Sequence, residues 1–259
     1  NVVNATEHLA AERGFLPAAD LCDLLRERHI PLASIESCAP LADFDVVGIT
    51  LPHELCATNV LEVLDLAGIP LLAEERGEDC PIIMGGGPCA FNPEPFAAFF
   101  DVINIGEGEE SLPEELSLIR RLKGEGASRR DIIIALAGVP GTYVPSAYEP
   151  ASPDEARLTG RVLAPKATFR GLVPEVVLKR VFDGFASSPA WEPCIVPYTE
   201  VVHDRLNVEI LRGCTRGCRF CQAGMMYRPV RERSADNITS AVVEGLRRTG
   251  YDEDRKSVV

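Results

Sequence analysis

The sequence predicts an α/β protein whose larger part is a doubly wound, flavodoxin-like parallel sheet. Three observations carry that prediction. Short, unbroken apolar runs such as "DVVGIT", "PIIMGGG" and "DVINIG" have the length and composition of strands buried on both faces. Segments with apolar residues at helical spacing separate the runs, the alternation of a parallel sheet covered by helices. Glycines close two of the runs, where a buried strand must turn into a loop.

The elements follow in order. Pro17 opens a helix whose apolar positions Leu21, Leu24 and Leu25 fall on one face. The runs "PLASIE" and "DVVGIT" come next. A second helix carries Leu55, Val60, Leu61, Val63 and Leu64 and stops at Gly68. Beyond "PIIMGGG" and "DVINIG", Ser111 and Glu114 form a capping-box pair for a helix that buries Leu112, Leu116, Ile119 and Leu122. Ser128 caps one more helix, before Gly138 and a strand at "GTYV".

Residues 148–203 break the pattern. They are rich in proline and short on periodicity, and read as a connecting segment with a hairpin or two. In "RLNVEILRG" the alternation of Leu206, Val208 and Ile210, followed by Leu211, predicts a strand that Gly213 turns into a loop. Ser234 then caps a helix with Ile238, Val242, Val243 and Leu246 on its apolar side, and Gly250 closes it.

Bulk numbers narrow the function classes. The 259 residues are 46% hydrophobic and 25% charged, ordinary values for a globular chain. No apolar run approaches the roughly 18 residues of a membrane span, and "NVVNATEHLA" lacks the basic start and apolar core of a signal peptide. A net charge of −13 argues against non-specific nucleic-acid binding, so nucleic acid is not an expected partner of these residues. Locally the sign reverses. From Arg205 to Gly250 nine arginines face Glu209, Glu232, Asp236 and Glu244, a net of +5 that suits an anionic ligand or a solvated basic surface.

Nine cysteines without a secretory signal fit a reducing compartment, here the cytoplasm. Cys22, Cys38, Cys56, Cys80, Cys89 and Cys194 are scattered and read as small buried apolar residues. Two glycine loops at strand ends, Gly85-Gly86-Gly87 and Gly106-Glu107-Gly108, lie where open parallel sheets bind ligands, although a tight strand-to-helix turn explains either as well.

Cys214, Cys218 and Cys221 are different: three thiols stand within eight residues, spaced C-x-x-x-C-x-x-C, on a loop between a strand and a helix. Three neighbouring thiolates repel unless a cation or cluster neutralises them. Structural zinc wants four ligands, and the nearest further candidates, Cys194 and His203, lie outside the loop. A 4Fe-4S cluster can be held by three cysteines with one iron left open.

The loop "CTRGCRFC" resembles the C-x-x-x-C-x-aromatic-C signature of the radical SAM superfamily at every position. The resemblance implies that Cys214, Cys218 and Cys221 ligate a 4Fe-4S cluster and that Phe220 lies against the adenine of S-adenosylmethionine. The open iron would chelate the amino and carboxylate groups of that cofactor. Reductive cleavage of S-adenosylmethionine would then yield a 5′-deoxyadenosyl radical, with flavodoxin or ferredoxin as electron donor and an unspecified substrate. Methyl or methylthio transfer is among the reactions it allows. Arg212, Arg216 and Arg219 would tune the cluster or attract the donor, or be solvated loop charge; Met225, Met226 and Tyr227 would line the barrel or pack in it.

The first domain is similar to the cobalamin-binding-type domain that precedes many radical SAM barrels, and "GGPCAFNPEPFAAFFD" with "RGCTRGCRFCQAGMMYRPVRERS" looks most like an uncharacterised radical SAM family. Gly85, Gly86, Gly87, Gly106, Glu107 and Gly108 would form its cobalamin-type pocket. The motif D-x-H-x-x-G is absent, because His53 in "LPHELC" has no Asp two residues before it. The expected organisation is therefore an N-terminally truncated α/β domain over 1–147 and a connecting segment over 148–203. The start of a partial β/α (radical SAM) barrel occupies 204–253. The tail 254–259 reads as a sequencing-adapter artefact. The competing class is a non-catalytic corrinoid- or nucleotide-binding module with a structural metal loop.

Overall fold

The computed structural model describes residues 2–188, 196–197, 199 and 205–251. The chain divides into two compact units, Val2–Val181 and a second beginning at Phe182.

In the first unit, α1 (Ala19–Arg28) precedes β1 (Val46–Thr50), and α2 (Ala57–Leu66) leads to β2 (Ile82–Gly86). Then β3 (Val102–Asn104), α3 (Gly108–Gly124), α4 (Arg129–Leu136) and β4 (Thr142–Tyr143) complete a four-stranded sheet of order β1-β2-β3-β4. The expected α/β class holds. β1, β2 and β3 are parallel, with Val46 opposite Ile82 and Met84 opposite Val102. β4 is antiparallel to β3, pairing Thr142 with Asn104. Two helices, rather than one, connect these strands. The second returns the chain to the end of the sheet that the first had left, so the next strand must run backwards.

The core is aliphatic. Leu51, Leu64, Ile83, Val102, Ile103, Ile119, Leu136 and Val144 are buried with Phe100, each worth about 1.5–3 kcal/mol of transfer free energy. Gly85 makes room for Phe100, whose ring atoms lie 3.0 Å from where a Cβ would stand. One polar cluster is embedded here. Asp101 Oδ2 accepts from Arg76 Nη1 (3.1 Å), Arg129 Nη2 (2.7 Å) and the Ile83 amide (2.8 Å), tying α4 to the sheet.

Several details differ from expectation. α1 buries Cys22 and packs Leu25 against the core, while Leu21 and Leu24 are exposed. Leu55 precedes α2 and is exposed. "PLASIE" contributes an isolated bridge from Ala33 to Pro40 rather than a strand, its edge having no continuous partner. α3 starts at Gly108, so Ser111 is inside the helix and donates to the Glu107 carbonyl (3.3 Å) rather than capping. Ser128 does cap α4, its Oγ accepting from the Asp131 amide at 3.2 Å. Cys22 and Cys56 are buried as expected, but Cys38 is exposed in a left-handed turn (φ 58°), and Cys194 is outside the described residues.

Beyond β4, β5 (Tyr148–Pro150), α5 (Pro153–Thr159) and β6 (Leu163–Pro165) form the expected hairpin, with a helix inserted in it. Tyr148 and Val173 join the first unit's core.

The second unit contains β7 (Leu211–Arg212), α6 (Ala223–Met226), β8 (Arg231–Glu232) and α7 (Ala235–Thr249). Only Leu211–Arg212 of the expected strand is paired, antiparallel to β8; a ladder needs a neighbour, and β8 is the one available among the described residues. Ser234 caps α7, accepting from the Asn237 amide (3.2 Å), and Gly250 ends it with φ 73°. α7 buries Ala241 and Gly245, whose bare face admits the Leu206 side chain, whereas Val243 is exposed.

Candidate functional site

The cysteine loop grows out of the β7–β8 hairpin. Gly213 adopts φ 98°, and a Cβ there would stand 2.7 Å from the Tyr227 carbonyl oxygen and 2.9 Å from Val230 Cα. Only glycine lets the loop leave so close to the returning backbone. Cys214 is half-buried, and its sulfur accepts the Arg216 N–H at 3.4 Å. Cys218 and Cys221 are exposed and joined by a turn in which the Cys221 amide donates to the Cys218 carbonyl at 3.2 Å. Phe220 is 90% exposed, and Met225, on α6, is also exposed.

Below the loop sits Phe185, fully buried and ringed by the guanidinium groups of Arg233 (4.2 Å from the ring centroid), Arg212 (4.8 Å) and Arg231 (5.6 Å). Arg212 also makes two 2.9 Å hydrogen bonds to the Glu209 carboxylate. These contacts fix the base of the loop and leave its tip open.

Among the described residues no group of three or more His, Cys, Asp or Glu side chains stands in a metal-holding arrangement, so the three thiols are near one another in sequence without converging. Their chemistry nevertheless fits a sulfur-ligated group. Residues 213–222 contain three thiols and no Asp, Glu or His, a soft donor set that excludes the oxygen ligands of hard cations. Arg216 and Arg219 stand between these cysteines in the chain, and both are exposed. Cys194 and His203, the alternative fourth ligands, lie outside the described residues.

At the strand-end loops the chain fills its own space. Gly87 adopts φ 102° with its missing Cβ 3.1 Å from the Leu51 carbonyl oxygen. Gly106 adopts φ 118°, and a Cβ there would stand 2.2 Å from the Arg180 carbonyl oxygen. Arg180 N donates to the Ile105 carbonyl (2.8 Å), and the Glu107 amide donates to the Arg180 carbonyl (3.0 Å). Gly86 and Gly108 are uncrowded, Gly108 as the first residue of α3. Among the described residues, a cavity of about 390 Å³ lies over β1, reaching Ser34 and Asn59, and another of about 780 Å³ lies beside Arg129, Arg130 and Lys166. At Gly106 the close-approach space is taken by the Arg180 backbone.

Sequence reasoning missed three residues here. Glu115 of α3 is fully buried, accepting from Thr142 Oγ1 (2.5 Å) and Asn104 Nδ2 (2.8 Å). Burial pushes its carboxyl up to about 7, although both hydrogen bonds oppose the shift. An acid between Leu112 and Ile119 on an apolar stripe was the available signal. Arg180 and Phe185 had none, since their partners are distant in sequence.

An α/β unit with parallel strands is thus followed by a second unit that carries the three-cysteine loop. The family of radical SAM proteins, N-terminal domain, matches residues 1–145, more than half of the chain, and the chain belongs to that family. It is also similar to an uncharacterised protein of Methanocaldococcus jannaschii, MJ0966, at 23% identity over 226 residues, covering 86% of this chain and 40% of the relative. The chain thus spans less than half the length of that relative. No solved structure matches. Among the described residues no helix is long and apolar enough to cross a membrane.

Proposed function

We propose that this chain contributes the cluster-binding loop of a radical SAM enzyme, with Cys214, Cys218 and Cys221 as ligands to a 4Fe-4S cluster. The observation that carries the reading is the loop itself: three thiols, no oxygen ligand, and Phe220 held in solvent immediately before the last cysteine. When bound, the cluster supplies reductive cleavage of S-adenosylmethionine to a 5′-deoxyadenosyl radical.

The chain's own residues do the positioning. Gly213 and the Phe185 socket fix where the loop begins, and the Arg216 N–H donates to the Cys214 sulfur and helps hold it in place. Phe220 offers an aromatic face to the adenine. The exposed Arg216 and Arg219 suit the acidic surface of a flavodoxin or ferredoxin donor. Thiols in this role require a reducing compartment, the cytoplasm. Anaerobic reconstitution of the complete protein with iron and sulfide tests the proposal: about four irons and four sulfides per chain, lost in Cys214→Ala, support it, and a protein that takes up zinc instead contradicts it.

A further inference from the structure

We infer that the Gly106–Gly108 loop is a latch for the chain's own Arg180 and not a seat for a corrinoid. The inference does not depend on the reading of the cysteine loop.

Four contacts converge on Arg180. Its backbone runs beside Gly106 as a parallel bridge, with hydrogen bonds in both directions (2.8 and 3.0 Å). A Cβ on Gly106 would meet its carbonyl oxygen at 2.2 Å, its nitrogen at 2.5 Å and its carbonyl carbon at 2.9 Å. On the other side, Gly141 adopts φ 94°, and a Cβ there would stand 2.9 Å from the Arg180 Cβ. Finally, the guanidinium reaches α3 and pairs with Glu110 (2.7 Å) and Glu114 (2.9 Å).

These glycines therefore admit protein backbone, as glycine does wherever another chain segment approaches closely. A corrinoid at the same loop would have to expel Arg180, breaking two backbone hydrogen bonds and two ion pairs. No histidine stands in the D-x-H-x-x-G pattern to compensate with a ligand bond. The glutamates and the glycines are two halves of one device. Gly106 and Gly141 make the slot, and Glu110 and Glu114 hold the side chain that fills it.

Two measurements on the complete protein decide the matter. The first is equilibrium dialysis against hydroxocobalamin and adenosylcobalamin, read by the corrin absorbance. The latch predicts no stoichiometric retention by the wild type; one corrinoid retained per chain and lost in Gly106→Ala would overturn it. The second is hydrogen exchange at the Glu107 and Arg180 amides. Arg180→Ala, which keeps the backbone in its slot, should speed both by about tenfold through loss of the ion pairs, and Gly106→Ala should abolish their protection. Unchanged exchange in both variants would equally overturn the latch. Iron incorporation, measured in parallel, should be unaffected by Arg180→Ala, which separates failure of this inference from failure of the cluster proposal.

Discussion

Glu115 and Thr142 meet at 2.5 Å inside the first unit, a carboxyl on α3 accepting the hydroxyl of the first residue of β4. A fully buried acid joining a helix to a sheet has a pH signature. Because burial raises its folded pKa from 4.5 to about 7, the native state holds a proton that the unfolded state has released. The stability this group contributes is complete below about pH 4.5 and declines as pH rises to about 7. The slope is about −1.4 kcal/mol per pH unit, totalling about 3 kcal/mol. Glu115→Gln should flatten that slope in urea titrations between pH 5 and 7, and an unchanged slope would show that Glu115 is ionised in the fold.

Among the described residues Asp101 is the one carboxylate paired with both Arg76 and Arg129, and all three side chains are buried. Asp101→Ala leaves two guanidinium groups facing each other without their shared acceptor, and should cost about 3–5 kcal/mol. Desolvation already lowers the Arg76 pKa, consistent with a cation that needs that carboxylate. The denaturant midpoint of the variant measures the loss, and a cost under about 1 kcal/mol would refute the pairing.

Gly213→Ala should act locally. It places a methyl 2.7 Å from the Tyr227 carbonyl oxygen at a left-handed backbone position, so the hairpin end must open. Alkylation of half-buried Cys214 should accelerate several-fold, while Cys218 and Cys221, already exposed, should react as before. Mass spectrometry of iodoacetamide-labelled peptides reads this, and equal rates for all three would contradict the account.

Phe220→Ala should leave the melting temperature unchanged within about 1 °C, because a ring that is 90% exposed contributes no packing. If the ring stacks on adenine, the same variant should weaken S-adenosylmethionine binding by about tenfold, in line with roughly 1–3 kcal/mol for a stacked base. Calorimetric titration of the reconstituted protein separates the two effects.

How much of this was legible depends on how local each cause is. The strands at "DVVGIT", "PIIMGGG" and "DVINIG" and the caps at Ser128 and Ser234 are local features, and they stand where composition and spacing put them. The capping box at Ser111 was wrong because a tertiary bond network starts α3 earlier: Glu107 is tied to Arg180, and the helix begins at once at Gly108. Likewise the glycines of the strand-end loop were visible, but their occupant, 74 positions from Gly106 in the chain, was not. The direction of β4 depended on counting two helices in one connection, which sequence periodicity suggested without fixing the sense of the strand. For the site, C-x-x-x-C-x-x-C is a chemical pattern readable without structure, whereas the Phe185 socket beneath it is purely tertiary.

The central claim is that Cys214, Cys218 and Cys221 hold a cluster with one iron open to S-adenosylmethionine. The most direct test is the electron paramagnetic resonance spectrum of the complete, anaerobically reconstituted protein after dithionite reduction, with and without S-adenosylmethionine. The account predicts a reduced 4Fe-4S signal whose g values change when the cofactor is added. A cluster signal indifferent to S-adenosylmethionine, or a folded protein that forms no cluster, would contradict it.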